Sequence, residues 1–282
     1  MVRAALCGLI VAPAAAAHGV TAADDAGTAF VVACLLMSGA TYALGMAKLA
    51  RRGRALRQRL PALSFLAGWL ALAAALLTPL DTLAARSFAA HMVQHEILIL
   101  VAAPLCVLGQ PLAIWSWALP HAGRLRLAAV FHHPAWQRPW HALTAPLPAW
   151  ALHAAALWIW HLPLLFEAAL ARQAVHVAQH ASFLGTALLF WWALLRPAAR
   201  HAPGVALALL FTTMLHSTAL GALLTLATHA WYGVYGGAFG LDALEDQQLG
   251  GLVMWVPGGL VYLGSGLALA ARWLAARPTR AV

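Results

Sequence analysis

Residues 91–111 read HMVQHEILILVAAPLCVLGQP, and the rest of the chain is best read outward from this stretch. It opens on two histidines four apart, His91 and His95, and continues almost without interruption through apolar residues. In a helix, positions i and i+4 share one face with Cβ atoms roughly 5–6 Å apart. Two imidazoles so placed can serve one metal ion, as in helical zinc motifs. The device returns at His176-Val177-Ala178-Gln179-His180, again ahead of a long apolar run that ends at Arg196-Pro197. A single membrane histidine is often only an interhelical hydrogen-bonder. The same H-x-x-Q-H at two helix starts, with Gln94 and Gln179 in register, asks for more than packing.

Around this stretch the composition is that of a membrane protein. Of 282 residues, 63% are apolar and only 9% are charged, against about 25% charged in an ordinary soluble domain. The formal charge of +9 does not point to nucleic acid, because the basic residues form no face or stripe; they fall between apolar runs. The three cysteines, Cys7, Cys34 and Cys106, have no metal-ligand or redox spacing.

Taken in order, residues 1–17 have one arginine, a short apolar core and an Ala-rich end, the pattern of a cleavable signal segment. Residues 18–271 form a membrane domain and 272–282 a basic tail. Seven runs are long enough to cross the hydrocarbon layer: 28–49, 61–80, 89–113, 146–166, 174–195, 204–228 and 248–271. The expected fold is therefore an all-α polytopic bundle with seven transmembrane helices. Fourteen of the 17 Lys and Arg follow the odd-numbered spans, with the densest cluster from Lys48 to Arg59. By the positive-inside rule those loops are cytoplasmic, so the N-terminus of the first span lies outside. Residues 51–59 should face the cytoplasm and residues 236–246 the opposite side.

That orientation sets the depth of each histidine. His91, His95, His176 and His180 begin spans three and five at the outer surface, and His161 ends span four there. These five are the expected metal ligands. Met92, Glu96, Asp81, Gln94, Gln179, His216, His229 and Asp246 are further candidates, as ligands or as partners that orient them. Met92 is the thioether placed to assist a soft metal. Glu96 is an ionisable group inside a span, which by itself marks a functional site. His153 and His216 lie near mid-membrane and read as packing residues or as an inward polar path. His121, His132, His133 and His141, with Trp136 and Trp140, belong to an interfacial amphipathic segment. Pro104, Pro163 and the Pro257-Gly258-Gly259 run mark breaks in spans three, four and seven.

Four segments, HMVQHEILILVAAPLCVLGQP, WIWHLPLLFEAAL, HVAQHASFLGTALLFWW and LEDQQLGGLVMWVPGGLVYL, occur in this order between Pro79 and Leu269. Together they resemble the CtaG-type membrane family of cytochrome c oxidase assembly factors. The resemblance implies seven spans, a bacterial plasma membrane and a role in maturing haem–copper oxidases, with copper as the metal handled. The partners implied are an oxidase subunit and the lipid bilayer, with a periplasmic copper chaperone as a source. Imidazole suits copper and a methionine favours Cu(I), so a copper-binding factor without catalytic turnover is the expectation. A haem b protein ligated by two histidines of different spans is the first alternative. A transporter of metal or small solute is the second, and a plain scaffold the third.

Overall fold

The structure is a computed structural model that describes residues 22–195 and 203–275. All regular structure among them is helical. The signal segment 1–17, Arg196, Arg200, Arg277 and Arg280 lie outside the described residues. Six helical segments are long and apolar enough to span a membrane: Gly27–Ala50, Ala55–Leu77, Phe88–Leu108, Gln173–Leu195, Pro203–Thr225 and Ala243–Ala275. Two further helices, Pro134–Thr144 and Pro146–Trp160, are bent by 64° at their junction and make a seventh candidate span only when counted as one. Leucines such as Leu60, Leu63, Leu260 and Leu267 stand more than 60% exposed on the outer faces. That is the surface expected where lipid, and not protein, covers an apolar helix.

In chain order the helices are α1 (Ala22–Ala50), α2 (Arg59–Leu77), α3 (Pro79–Ala84), α4 (Phe88–Glu96) and α5 (Ala103–Leu108). Then come α6 (Pro111–Ala118), α7 (His121–His132), α8 (Pro134–Thr144), α9 (Pro146–Trp160) and α10 (Pro163–Ala171). The last three are α11 (Gln173–Leu195), α12 (Pro203–Thr225) and α13 (Ala243–Ala275).

Several expected spans differ in extent, and spans three and four show proline's part in it. Span three was expected to reach residue 113 but ends at Leu108; Gln110 takes a left-handed φ of 52° and α6 restarts at Pro111. Gly109 makes this turn against α2, where a Cβ would come 2.6 Å from the Phe65 Cβ. Span four was expected through residue 166, yet α9 stops at Trp160 and α10 begins at Pro163. Leu162, the residue before that proline, is extended at ψ 130°, as proline's ring requires of its predecessor. Pro257, in contrast, sits inside an unbroken α13.

Pro104 acts by a different route. Immediately before it, Ile97–Ala102 form a π-helical segment linking α4 to α5. A wide turn of this kind calls on the N–H five residues on, and for Ile99 that residue is Pro104, which has none. The Trp191 indole N–H donates to the Ile99 carbonyl at 2.9 Å from α11 instead. Trp191 is almost fully buried, in a core with Phe183, Phe190, Leu157 and Tyr262. The broken span is thus repaired by a neighbour, the condition on which membrane helices tolerate proline.

Small residues let the helices close. A Cβ on Gly221 of α12 would stand 2.9 Å from the Gly251 carbonyl oxygen of α13, the close backbone approach by which membrane helices gain packing energy. Gly250 receives the Phe88 ring and the Met92 side chain, and Gly258 faces Glu96.

Candidate metal centre

Three elements deliver histidines to one end of the bundle. His91 and His95 lie on α4, His176 and His180 on α11, and His161 caps the C-terminus of α9. Ring centroids are 4.3 Å apart for His91–His95 and 4.1 Å for His176–His180, so each i,i+4 pair stacks along one helix face. Across the helices, His91–His176 is 5.5 Å, His95–His180 5.3 Å and His95–His161 6.4 Å. The structure therefore brings all five expected histidines together. Among them, His91, His176 and His180 present nitrogens within 4.8 Å of one another.

For two of the rings, His91 and His161, a hydrogen bond on the far side fixes what the ring presents to the centre. Tyr235 Oη donates to the Ala84 carbonyl at 2.9 Å, so it accepts from His91 Nδ1 at 3.1 Å. The proton of neutral His91 thus sits on Nδ1 and Nε2 keeps its lone pair. His161 Nδ1 donates to the Leu157 carbonyl at 2.6 Å, which leaves its Nε2 bare in the same way. Such partners orient metal-binding imidazoles and select the tautomer. The Nε2 atoms of His91 and His95 face each other at 2.9 Å, so His95 must donate there when no cation replaces its proton.

Four other imidazole nitrogens of the cluster have no protein partner. His95 Nδ1, His161 Nε2, His176 Nε2, His180 Nε2 and, beside them, Gln94 Oε1 are buried and unpaired. Each such atom costs about 1–3 kcal/mol, so five together rival the roughly 5–15 kcal/mol stability of a whole domain. Phe166 and Phe183 wall the cluster, with Phe183 4.6 Å from the His95 ring and Phe166 5.0 Å from His91. On the α1 side a cavity of about 310 Å³ reaches His176 and His180 and is also lined by Asp81, Gln173 and Cys34.

Most of the further candidates play other parts. Met92 and Glu96 are themselves four apart and turned about 100° from the histidine face, so both point at α13, toward Gly250 and Gly258. Met92 packs in an apolar cluster with Phe88, Phe166 and Tyr232, away from the nitrogens. Gln94 donates to the Ala75 carbonyl and to Asp81 Oδ1 at 2.8 and 2.9 Å, which ties α4 to α2 and α3. Gln179 is fully buried on α11 between the two histidines of its pair. His153 packs on Phe190 and shares a hydrogen bond with Thr186 at 3.2 Å, and His216 packs edge-on against Trp150. His229 is exposed in the loop after α12.

Asp246 has the most consequential second role. Fully buried at the start of α13, it accepts from Ser87 Oγ at 2.7 Å, Phe88 N at 2.7 Å and Ala89 N at 3.3 Å. It thereby caps the N-terminus of α4, the helix that carries His91 three residues further on. A carboxylate at a helix start satisfies free N–H groups and matches the helix dipole.

Tyr232 and Tyr235, which sequence reasoning did not single out, enter from the loop between α12 and α13. Tyr232 Oη donates to the His161 carbonyl at 2.9 Å. The loop itself is held by Trp231 N on Gln247 Oε1 at 2.6 Å and Gly233 N on Glu167 Oε1 at 2.8 Å. Gly237, at φ 91°, makes its turn where a Cβ would strike Leu241 and Asp242. Burial, with Asp246 nearby, pushes the Tyr235 hydroxyl well above its ordinary range, so it stays a neutral hydrogen-bonding group. Tyr235→Phe removes the acceptor that holds the His91 tautomer. Loss of a partner of this kind costs about 10–100-fold in metal affinity, which a Cu(I) competition titration of the variant should register.

Fold and site define a polytopic helical membrane protein whose helix ends enclose a polyhistidine centre. The chain belongs to the family described as the cytochrome c oxidase caa3 assembly factor (Caa3_CtaG), which it matches over residues 40–276. No curated protein and no solved structure matches it. Membership makes it an assembly factor for cytochrome c oxidase, working beside the oxidase in a lipid membrane.

Proposed function

We infer that the five-histidine cluster takes up a copper ion as cargo and that the protein passes it to a haem–copper oxidase subunit during assembly. The observation that carries this reading is the convergence of five buried imidazoles, four with an unpaired nitrogen, of which His161 is oriented by a hydrogen bond on its other side as His91 is by Tyr235. A donor set of neutral imidazoles in an aromatic enclosure suits copper and disfavours the hard, oxygen-seeking cations. His91, His176 and His180 are the nearest set; His95 and His161 would complete it or hold the ion in transit. The role is binding and transfer, without catalytic turnover. Asp81, hydrogen-bonded to Gln94 and lining the cavity that reaches His176 and His180, would attract an incoming cation.

The setting is a bacterial plasma membrane with the cluster on the outer side, where a periplasmic copper chaperone could supply it. Reporter fusions at Arg57 and Gly240 should accordingly be active on opposite sides of the membrane; both active on the same side would sink the seven-span arrangement. For the metal, detergent-purified protein is loaded with Cu(I), desalted and assayed for bound copper beside its visible spectrum. Copper retained through desalting is the expected result. A Soret band in the protein as isolated, lost in His95→Ala, would replace copper by haem b. Neither signal would leave the protein a scaffold.

A further inference from the structure

The end of the bundle opposite the histidines carries a second feature. The α4–α5 span leads from His91 to Leu108 and α11 leads from His176 to Leu195, and Leu108 and Leu195 line a cavity of about 1010 Å³. Helices α7 and α8 form its outer wall without burying a single residue. They are pinned at its edges, where Trp140 meets Trp192 of α11 at 5.9 Å and Arg124 stacks on Trp117 of α6 at 4.0 Å. The space is open on one side at the end of the bundle, so in a membrane it is occupied by solvent or by lipid.

The walls say what fills it. Leu112, Leu125, Phe131 and Trp136 make much of the lining apolar, while Arg124 and His121 supply polar groups, and no carboxylate lines it. Trp117 and Arg124 both line the cavity, and three guanidiniums lie near that one indole: Arg124, Arg52 and Arg54 are 4.0, 5.1 and 5.9 Å from the Trp117 ring centre. Lys48 joins them by donating to the Ala118 carbonyl. The ring face offsets part of their mutual repulsion. A phosphate would offset more, because a guanidinium stacked by its face leaves its N–H edge free for forked bonds to phosphate oxygens.

We propose that this cavity binds one anionic phospholipid, its phosphodiester held by Arg52, Arg54 and Arg124 beside Trp117 and its acyl chains under the α7–α8 hairpin. Basic pockets between membrane helices take such headgroups on the cytoplasmic side, the side that the positive-inside rule assigns to this end. The lipid would hold the hairpin against α5, α6 and α11, which contribute the rest of the cavity wall.

The test uses the full-length protein, delipidated in detergent and titrated with phosphatidylglycerol or phosphatidylcholine, with bound lipid counted by native mass spectrometry. Each arginine near the headgroup is expected to contribute roughly fivefold, giving a preference for phosphatidylglycerol on the order of 100-fold. The triple change Arg52→Gln, Arg54→Gln, Arg124→Gln should erase that preference. Ala128→Trp, which fills the cavity and leaves every charge in place, should lower retention of phosphatidylglycerol. Equal retention of both lipids, an undiminished preference in the triple variant, or undiminished retention in Ala128→Trp overturns the proposal. So does displacement of the lipid by inorganic phosphate at like concentration, which would mark a small-anion site.

Discussion

His180→Ala is expected to lower copper retained by the purified protein on the order of 100-fold, since even losing a partner that orients a ligand costs about 10–100-fold. Oxidase activity in the membrane should fall with it, while the amount of this protein stays constant. His91→Ala and His95→Ala should behave alike. His132→Ala and His133→Ala, in and beside the exposed α7–α8 hairpin, should leave copper retention unchanged. Stability separates a ligand from a packing residue here. His180 Nε2 has no protein partner, so His180→Leu removes a buried unpaired atom and should keep or raise the melting temperature while abolishing metal binding. A variant that unfolds early and loses copper only in proportion to its unfolding would identify His180 as a core residue. The arginines near Trp117 stand at the other end of the bundle, so failure of the copper reading and failure of the lipid proposal are independent results.

Asp246→Ala should be the most destabilising single change at this site. The carboxylate accepts three hydrogen bonds in a fully buried position, and its removal strands the Ser87 hydroxyl and two helix N–H groups. Bonds to a charged group contribute about 1.5–3 kcal/mol each before partial compensation. A cap in isolation contributes about 1 kcal/mol. The loss should therefore lie near 3 kcal/mol, seen as earlier thermal unfolding in detergent. Asp246→Asn, which keeps an acceptor oxygen without the charge, should recover part of it. Copper affinity should fall in step, because the first turn of α4 places His91. If Asp246→Ala melts with the wild type, the link between α13 and the α4 terminus carries no weight.

Periodicity explains how much of this was legible in the sequence. Long apolar runs can satisfy their backbone in lipid only as helices, so the all-helical fold and its spans followed from composition. The i,i+4 rule placed His91 with His95 and His176 with His180 before any tertiary contact was known. Chain order at equal depth then suggested that the pairs meet. The same rule counted against Met92 and Glu96: adjacency in sequence put them near His91 and His95, while the helical rotation per residue turned them to α13.

Proline effects were legible as breaks, not as their repair. Pro104 announced a missing N–H, but that Trp191 of α11 would serve the Ile99 carbonyl depends on which helix lies alongside. Asp246 read as an outer-side acid and a further candidate at the metal site, and only the packing of α13 against α4 made it a helix cap. Tyr235, in a glycine-rich loop without periodic signal, could not have been tied to His91 from spacing at all. The sequence by itself determined the helices, their approximate ends and the faces on which histidines lie, because those follow from local geometry and from the solvent. The tertiary structure alone decided the partners across helices, the tautomers and the capping of α4. Those depend on contacts between residues as much as 159 positions apart, for which a local periodicity carries no information.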